Sequence, residues 1–273
     1  MSVIIQRLLR VLPAFPGKLR LAHLLLRGIG GPAMIKDRFG FTYEVPDLGE
    51  PIAFHLLING AYEPETQDLL LRFLPVGGVF IDVGANIGTF TIPAAKHVGS
   101  SGRVVAIEAS REVFNVLQKN VDTNKAENVQ LVCAAAGASA GDTEFYPAPA
   151  DHFGMGSRAP QFNASPIAIP SVMLDSLVQS FNLSSVDLIK IDVEGFELDV
   201  LKGASGLLSA KKPPLVIFEF CDWAETRSEA DLGAAQRFLL DCGFRIWRAS
   251  EYGHGSPMTK PLTTDGEMLV AQR

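Results

Sequence analysis

The sequence predicts an α/β fold in which a mostly parallel sheet of seven strands has helices on both faces. From Val79 onward, short apolar runs alternate with segments whose apolar residues recur at helical spacing. The runs contain few polar residues, as strands buried on both faces do. Such alternation indicates a parallel sheet, because parallel neighbours need a crossover between them. The expected strands lie at 79–81, 104–107, 129–133, 188–191, 215–220, 244–248 and 267–271.

Helix signals fit between these strands. Glu63-Pro64-Glu65 is expected to open a helix, because proline and acidic residues are favoured in the first turn. A second helix is expected over 89–97. Ser110 is a candidate N-cap for a third helix, and a fourth helix is expected over 231–240. Each follows or precedes a strand, as the alternating fold requires.

The chain before the sheet is predicted to be an extension. Residues 1–60 are expected to form a helical and hairpin extension, with a hairpin or lid over 37–60, and residues 61–273 form the main domain. Residues 1–36 contain six basic residues and no acidic one. The apolar spacing of the first residues predicts a helix with arginines between its apolar positions. It either packs on the main domain or lies, within residues 1–30, on an anionic membrane surface.

Composition excludes several classes of protein. The 273 residues are 47% hydrophobic and 20% charged, which is typical of globular domains. A net charge of −6 argues against general nucleic-acid binding. Three widely spaced cysteines form neither a disulfide framework nor a zinc knuckle, so a cytoplasmic location is expected. The longest uncharged stretch, 159–174, contains three prolines and is expected to be a loop rather than a membrane span.

A glycine-containing turn follows the first strand of the sheet. The sequence Asp82-Val83-Gly84-Ala85-Asn86-Ile87-Gly88 differs in spacing from the dinucleotide fingerprint GxGxxG. A carboxylate at Asp82 suits a positively charged ligand better than a pyrophosphate. Glu108 ends the second strand, where an acid accepts hydrogen bonds from ribose hydroxyls. An adenosine with a cationic tail, as in S-adenosylmethionine, fits this pair of acids.

A second polar cluster runs from the end of the fourth strand toward the next helix. Lys190, Asp192 and Glu194 alternate in sequence, so their side chains are expected to face one pocket at the carboxyl end of the sheet. They are candidate catalytic residues, with Asp192 or Glu194 as a general base beside Lys190. The alternative is an ion pair that only stabilises the strand end. A further alternative, not adopted, is a divalent cation bound by Asp192 and Glu219.

These motifs resemble one family in order and spacing. Residues 80–89 are similar to the first motif of FkbM-type S-adenosylmethionine-dependent methyltransferases. Further similar segments are Gly60-Ala61-Tyr62-Glu63, Leu174-Asp175-Ser176-Leu177, residues 187–197 and Val200-Leu201-Lys202-Gly203-Ala204. The resemblance extends over roughly residues 60–250. One departure is Glu108-Ala109-Ser110, where many members have a proline after the acid, but the acid itself is kept.

The resemblance implies a class I, Rossmann-like methyltransferase fold and S-adenosylmethionine as cofactor. It places Asp82, Gly84, Asn86 and Gly88 around the methionine part, Glu108 at the ribose, and Ala134 and Ala135 beside the adenine. It also implies O-methylation of a hydroxyl group on a sugar, a glycan or a polyketide-type natural product. The acceptor would then be a small molecule or glycan rather than a nucleic acid.

Two alternatives and some details stay open at the level of sequence. A nicotinamide-dependent oxidoreductase could also use Glu108, although the fingerprint is missing. A non-catalytic, membrane-associated binding protein could keep the same fold. Residues 148–170 are expected to shape specificity. His152 and Trp223 are weaker candidates near the acceptor, with a solvated loop histidine and a buried aromatic as the simpler interpretations.

Overall fold

A computed structural model describes residues 31–48, 50–149 and 152–273. In chain order the strands are β1 (Ala33–Lys36), β2 (Thr42–Val45), β3 (Val79–Val83), β4 (Arg103–Glu108), β5 (Val129–Cys133), β6 (Ala135–Ala136), β7 (Gly141–Phe145), β8 (Ile167–Val172), β9 (Leu188–Ile191), β10 (Leu215–Cys221), β11 (Arg245–Arg248) and β12 (Gly266–Gln272). The helices are α1 (Pro51–Asn59), α2 (Pro64–Phe73), α3 (Thr91–Val98), α4 (Arg111–Thr123), α5 (Leu174–Ser180), α6 (Glu197–Lys202), α7 (Ser205–Ser209), α8 (Asp222–Arg227) and α9 (Ala234–Asp241).

The predicted seven-stranded sheet is confirmed. Its order is β11-β12-β10-β9-β3-β4-β5. The pairs from β10 through β9, β3 and β4 to β5 are parallel, and β12 runs antiparallel to both of its neighbours. All the predicted strands are present, with small differences at their ends. The strand order reverses between β3 and β9. The carboxyl ends of these two strands therefore form the crevice in which ligands of such sheets bind.

The inner strands of the central sheet form because their side chains are apolar on both faces of the sheet. In β9, for example, every residue is buried, including the lysine. The largest cluster of buried side chains combines β3, β4, β9 and β10 with α6 and α9. Ser110 caps α4 as predicted, since its Oγ accepts a hydrogen bond from the Val113 backbone N–H at 3.4 Å. Helix α2 begins at Pro64, again as predicted.

The expectation of a loop over 159–174 is wrong in part. Residues 167–172 form β8, the central strand of a small sheet of order β6-β8-β7. Pro170 pairs with Asp142 of β7, whereas β6 reaches only Ser171 and Val172. Proline is tolerated there because the short β6 requires no N–H at position 170. This small sheet precedes α5 and ends near the crevice of the central sheet.

The expected hairpin or lid over 37–60 forms differently. The hairpin of β1 and β2 begins earlier, at Ala33, and the later part of the range is helix α1. Asn120 of α4 is fully buried and fixes the hairpin. Its Oδ1 accepts the Glu44 N–H at 2.7 Å, and its Nδ2 donates to the Glu44 carbonyl at 3.1 Å and the Ile87 carbonyl at 3.0 Å. The described part of the extension therefore packs on the main domain, and the domain boundary at residue 60 stays a prediction.

The basic amphipathic segment lies outside the described residues. Its two interpretations, packing on the domain or lying on a membrane surface, thus stay predictions. In the described part of the chain, no helix has the length and apolar character that crossing a bilayer requires.

Candidate active site

The glycine turn after β3 is shaped by a close approach to the neighbouring strand. Gly84 has a φ of +77°, and a Cβ at this position would lie 1.8 Å from the backbone oxygen of Asp192. The N–H groups of Gly84 and Ala85 both donate to the Ile107 carbonyl at 3.0 Å. Asn86 follows with a φ of +49°. Only glycine fits at position 84, because any side chain would push apart the ends of β3 and β9.

Glu108 holds this turn from the end of β4. Its carboxylate accepts the Asn86 N–H at 3.0 Å with one oxygen and the Ser110 N–H at 2.9 Å with the other. Burial raises the pKa of Glu108 to about 7, although both of these hydrogen bonds lower it. The side chain lines the cavity described below, beside Ala134 and Ala135. Its position suits the recognition of two vicinal hydroxyl groups.

Asp82 and Gly88 lie behind the cavity rather than in its wall. Asp82 is fully buried, and its Oδ2 accepts a hydrogen bond from the Thr91 hydroxyl at 2.6 Å. Its other oxygen has no hydrogen-bond partner among the described residues. Gly88, at a φ of +95°, faces the hydrophobic core, where a Cβ would lie 2.9 Å from Leu117. These two residues support the turn from below.

The lysine of the second cluster is buried in an ion pair. Lys190 is 1% exposed, and its Nζ donates to Asp192 Oδ2 at 2.9 Å while lying 4.6 Å from the centre of the Phe90 ring. Burial lowers the pKa of Lys190, but the carboxylates of Asp192, Asp82 and Glu63 outweigh it and raise the pKa overall. Lys190 is therefore a fixed positive charge among carboxylates.

Two further carboxylates face the same space. Glu194 has a φ of +57°, and its Oε2 accepts from Gln161 Nε2 at 3.4 Å. Burial and the neighbouring Asp192 raise the pKa of Glu194 to about 7. Burial, followed by Asp192 and Glu194, raises the pKa of Glu219 well above its usual range. No group of three or more His, Cys, Asp or Glu with metal-binding geometry occurs in the described ranges.

All of the predicted site residues except Asp82 and Gly88 line one cavity of about 410 Å³. Gly84, Asn86, Glu108, Ala134 and Ala135 form one end, above β3, β4 and β5. Lys190, Asp192 and Glu194 lie in the middle, and Glu219 and Trp223 form the other end, above β9 and β10. The cavity therefore joins an adenosine-type site to a carboxylate-rich site.

The segment between β7 and β8 of the small sheet covers this cavity. The Asn86 Nδ2 contacts the Gly154 carbonyl at 3.4 Å, and the Ser157 hydroxyl donates to the Glu194 carbonyl at 3.1 Å. Arg158 lines the cavity and pairs with Asp199 at 2.8 Å. His152, a weaker candidate, does not line it and packs with its ring 5.4 Å from that of Phe162. The cover thus bridges the two ends of the cavity.

Sequence reasoning missed some residues of the wall. Tyr62 lines the cavity, and Glu63 lies near Lys190, whose positive charge lowers the pKa of Glu63 against the larger effect of burial. Both stand in the segment 60–63 that carries the family resemblance, which was the signal available for them. Arg158 interrupts a long segment with few charges, and that isolation was its only signal.

A family comparison identifies the family of this chain. A model described as the methyltransferase FkbM domain matches residues 82–246, from β3 through β11. The chain belongs to the FkbM methyltransferase family. Its methyl donor is S-adenosylmethionine. The sheet order, with β12 inserted antiparallel beside β10, is that of the class I methyltransferase fold.

Curated relatives of this FkbM methyltransferase include two named methyltransferases. The hexuronic acid methyltransferase AglP of Haloferax volcanii is 30% identical over 148 residues, which are 54% of this chain and 59% of the relative. Methyltransferase 1 of Beauveria bassiana is 28% identical over 195 residues, covering 63% of this chain and 74% of the relative. The match therefore spans about three-fifths of the Haloferax protein.

Solved structures similar to the FkbM methyltransferase include an O-methyltransferase of Bacillus cereus in complex with SAH. It covers 99% of this chain and 96% of its own, with 14% sequence identity and a TM-score of 0.47.

Proposed function

We propose that this methyltransferase transfers the methyl group of S-adenosylmethionine to a hydroxyl oxygen of a sugar, a glycan or a polyketide-type natural product. One observation carries the proposal. The carboxylates of Asp192, Glu194 and Glu219 share a single cavity with the glycine turn and Glu108. A hydroxyl group loses a proton when it is methylated, and carboxylates beside the methyl donor provide acceptors for that proton.

The residues at the first end of the cavity fit the proposed cofactor. Glu108 would hold the ribose hydroxyls, and Gly84 and Asn86 would lie against the methionine part. The small side chains of Ala134 and Ala135 leave room for a planar base. When bound, S-adenosylmethionine supplies an electrophilic methyl group, so the protein needs mainly to align the acceptor with it.

Glu194 is the general base in this proposal. Its pKa of about 7 lies close to neutral pH, where a base is most effective. Asp192, held by Lys190 at 2.9 Å, orients the acceptor hydroxyl. The proton of the hydroxyl passes to the Glu194 carboxylate as the new oxygen–carbon bond forms and the sulfur–carbon bond breaks. Lys190 stays charged and positions Asp192.

The choice of a sugar is supported by one relative. The Haloferax volcanii protein is named for a hexuronic acid, which is a sugar derivative, and shares 30% identity over the matched region. That similarity, over 59% of the relative, favours a hydroxylated ring as acceptor class without fixing its identity.

The test combines cofactor binding with methyl transfer. Calorimetric titration with S-adenosylmethionine, S-adenosylhomocysteine and NAD should show saturable binding of the two adenosyl compounds, weakened in Glu108→Ala. Methyl transfer from labelled S-adenosylmethionine to a panel of sugars and phenolic polyketides should then identify the acceptor. Binding of NAD alone would favour the oxidoreductase alternative instead.

The base is tested with Glu194→Gln. We expect turnover to fall about 100-fold or more while the Kd for S-adenosylhomocysteine stays unchanged, because the variant keeps its shape but accepts no proton. The wild-type rate should rise as the pH increases through about 7, where Glu194 ionises. Asp68→Asn is the matched control, because Asp68 is an exposed acidic residue of α2 that pairs with Arg38. Unchanged turnover in Glu194→Gln would remove Glu194 from this role.

The membrane proposal is tested separately. If residues 1–30 hold the enzyme at a membrane, removing them should abolish binding to anionic liposomes while methyl transfer to a soluble acceptor continues. Equal liposome binding with and without this segment would refute attachment through residues 1–30.

A further inference from the structure

An aromatic side chain stands at the mouth of the cavity. Trp223 follows β10 in helix α8, lines the cavity and is 40% exposed. The Arg227 guanidinium lies 5.0 Å from the ring centre. Tryptophans are usually well buried, so an indole that faces both a pocket and solvent needs a reason.

The helix that carries Trp223 is fixed to the turn that carries Glu194. Gly195 has a φ of +98°, and a Cβ there would lie 2.4 Å from the Ala224 carbonyl oxygen. The Ser228 hydroxyl donates to the Gly195 carbonyl at 2.8 Å. Because of this close packing, the indole and the carboxylates keep a constant spacing, as a site for one rigid ligand requires.

The charges of this end of the cavity disfavour an anionic ligand. Asp192, Glu194 and Glu219 are acidic, and the cations of the described cavity wall are Lys190 and Arg158. Both are already paired, Lys190 with Asp192 at 2.9 Å and Arg158 with Asp199 at 2.8 Å. A ligand carboxylate would thus lie beside the carboxylate of Asp192 and, once Glu194 has ionised, beside a second like charge, without a free cation among the described wall residues. The Arg227 guanidinium is outside this wall and lies against the Trp223 ring.

We propose that Trp223 is the platform on which the ring of a sugar acceptor stacks, and that this ring carries no carboxylate. The inference rests on the proposed function and adds the acceptor class to it. A pyranose has an apolar face that covers an indole and hydroxyls at its edge that donate to carboxylates such as Glu194 and Glu219. One ligand therefore satisfies both features of this end of the cavity.

Binding is measured first, without catalysis. The sequence has two tryptophans, and Trp247 is 7% exposed, so a Trp247→Phe protein reports on Trp223 by its fluorescence. With S-adenosylhomocysteine present, the methyl glycosides of glucose, galactose and mannose are titrated beside the matching amino sugars and uronates. We expect a saturable fluorescence change with a neutral or amino sugar, and at least about tenfold weaker binding of the matching uronate.

Variants then assign the platform. With the best sugar of the panel, Trp223→Ala should raise KM about tenfold or more with little change in kcat, because stacking is present both before and during transfer. Trp223→Phe should restore most of the affinity. Phe39→Ala is the matched control, since Phe39 is 43% exposed, lies under Arg38 at 4.7 Å and does not line the cavity.

The outcomes separate this inference from the proposed function. Methylation of a sugar with an unchanged KM in Trp223→Ala would overturn the platform while leaving the proposed function standing. Preferred binding of a uronate would overturn the exclusion of carboxylates. Methylation of phenolic acceptors alone, with no sugar bound, would overturn the sugar class and this inference together.

Discussion

At the scale of single residues, Gly84 and Gly40 separate two reasons why a position requires glycine, a positive φ and a lack of space for a side chain. Gly84 needs both a positive φ and empty space beside the Asp192 carbonyl, whereas Gly40, at a φ of +89°, has nothing within 4 Å of its missing side chain. We expect Gly40→Ala to lower the free energy of unfolding by about 1–2 kcal/mol, the cost of a left-handed alanine. Gly84→Ala should cost at least about 3 kcal/mol more, because the strand ends must also separate.

Urea unfolding of the two variants checks this difference. The Kd for S-adenosylhomocysteine gives a second measurement, which should change only in Gly84→Ala. Equal midpoints for both variants would show that the approach of Gly84 to Asp192 does not restrict this position. If Gly84→Ala does not fold, we expect Gly84→Ser not to fold either, because it also carries a Cβ at this position. A fully folded Gly84→Ser would contradict the close packing of Gly84 against Asp192.

The proposed catalytic cluster was accessible to sequence reasoning because parallel strands place their ends together. Lys190, Asp192 and Glu194 run from the end of β9 into the segment after it, and Glu108 is the last residue of β4, so topology alone predicts a shared edge. Asp82 and Gly88 belong to the same motif, but spacing cannot tell which side of a turn each atom faces. The contacts of the covering segment, such as Ser157 with Glu194, join residues far apart in sequence and had no local signal.

At the scale of elements, docking of the first hairpin depends on Asn120. Asn120→Ala would leave the Glu44 N–H and carbonyl and the Ile87 carbonyl without this partner. We expect a loss of about 3 kcal/mol in unfolding free energy, since buried polar groups without partners are costly. Lys119→Ala, which removes an exposed ion pair to Glu44, should cost less than about 1 kcal/mol.

Hydrogen exchange locates the effect within the molecule. Amides of the hairpin should exchange faster in Asn120→Ala than in wild type, while those of the central strands keep their relative protection. Uniform acceleration over the whole chain would mean that Asn120 stabilises the domain core rather than the docking of this element.

The same scale explains which elements were predictable. The inner strands of the central sheet, such as β3, β9 and β10, are largely apolar runs, so burial on both faces identifies them. Helix α1 is apolar on nearly all sides, which removes the periodicity that marks a surface helix. Strand β8 contains Pro170, a residue that ordinarily argues against a strand, and its place depends on pairing with the distant β7. Tertiary contacts, not local pattern, determine these two elements.

At the scale of the whole molecule, the buried carboxyl groups couple stability to pH. Burial raises the pKa of Glu108 and Glu194 to about 7 and that of Glu197 to about 8, against an ordinary value of 4.5. Between pH 4.5 and these raised pKa values, the folded protein binds more protons than the unfolded chain. Its stability therefore falls as the pH rises through about 7 to 8. Burial lowers the pKa of His55. This shift makes stability rise with pH, but only at pH values below the usual histidine pKa of 6.5.

Urea midpoints at pH 6.5, 7.5 and 8.5 should thus decrease in the ligand-free protein. Glu197→Gln should flatten this dependence, because the amide oxygen can still accept the Val193 and Gly195 N–H groups without becoming charged. Glu112→Gln, at an exposed position of α4, should keep the wild-type slope. Midpoints that stay constant between pH 6.5 and 8.5 would show that these carboxyls ionise in the folded protein as readily as in the unfolded chain. In that case the carboxylate-rich end of the cavity would be far better solvated than its burial indicates.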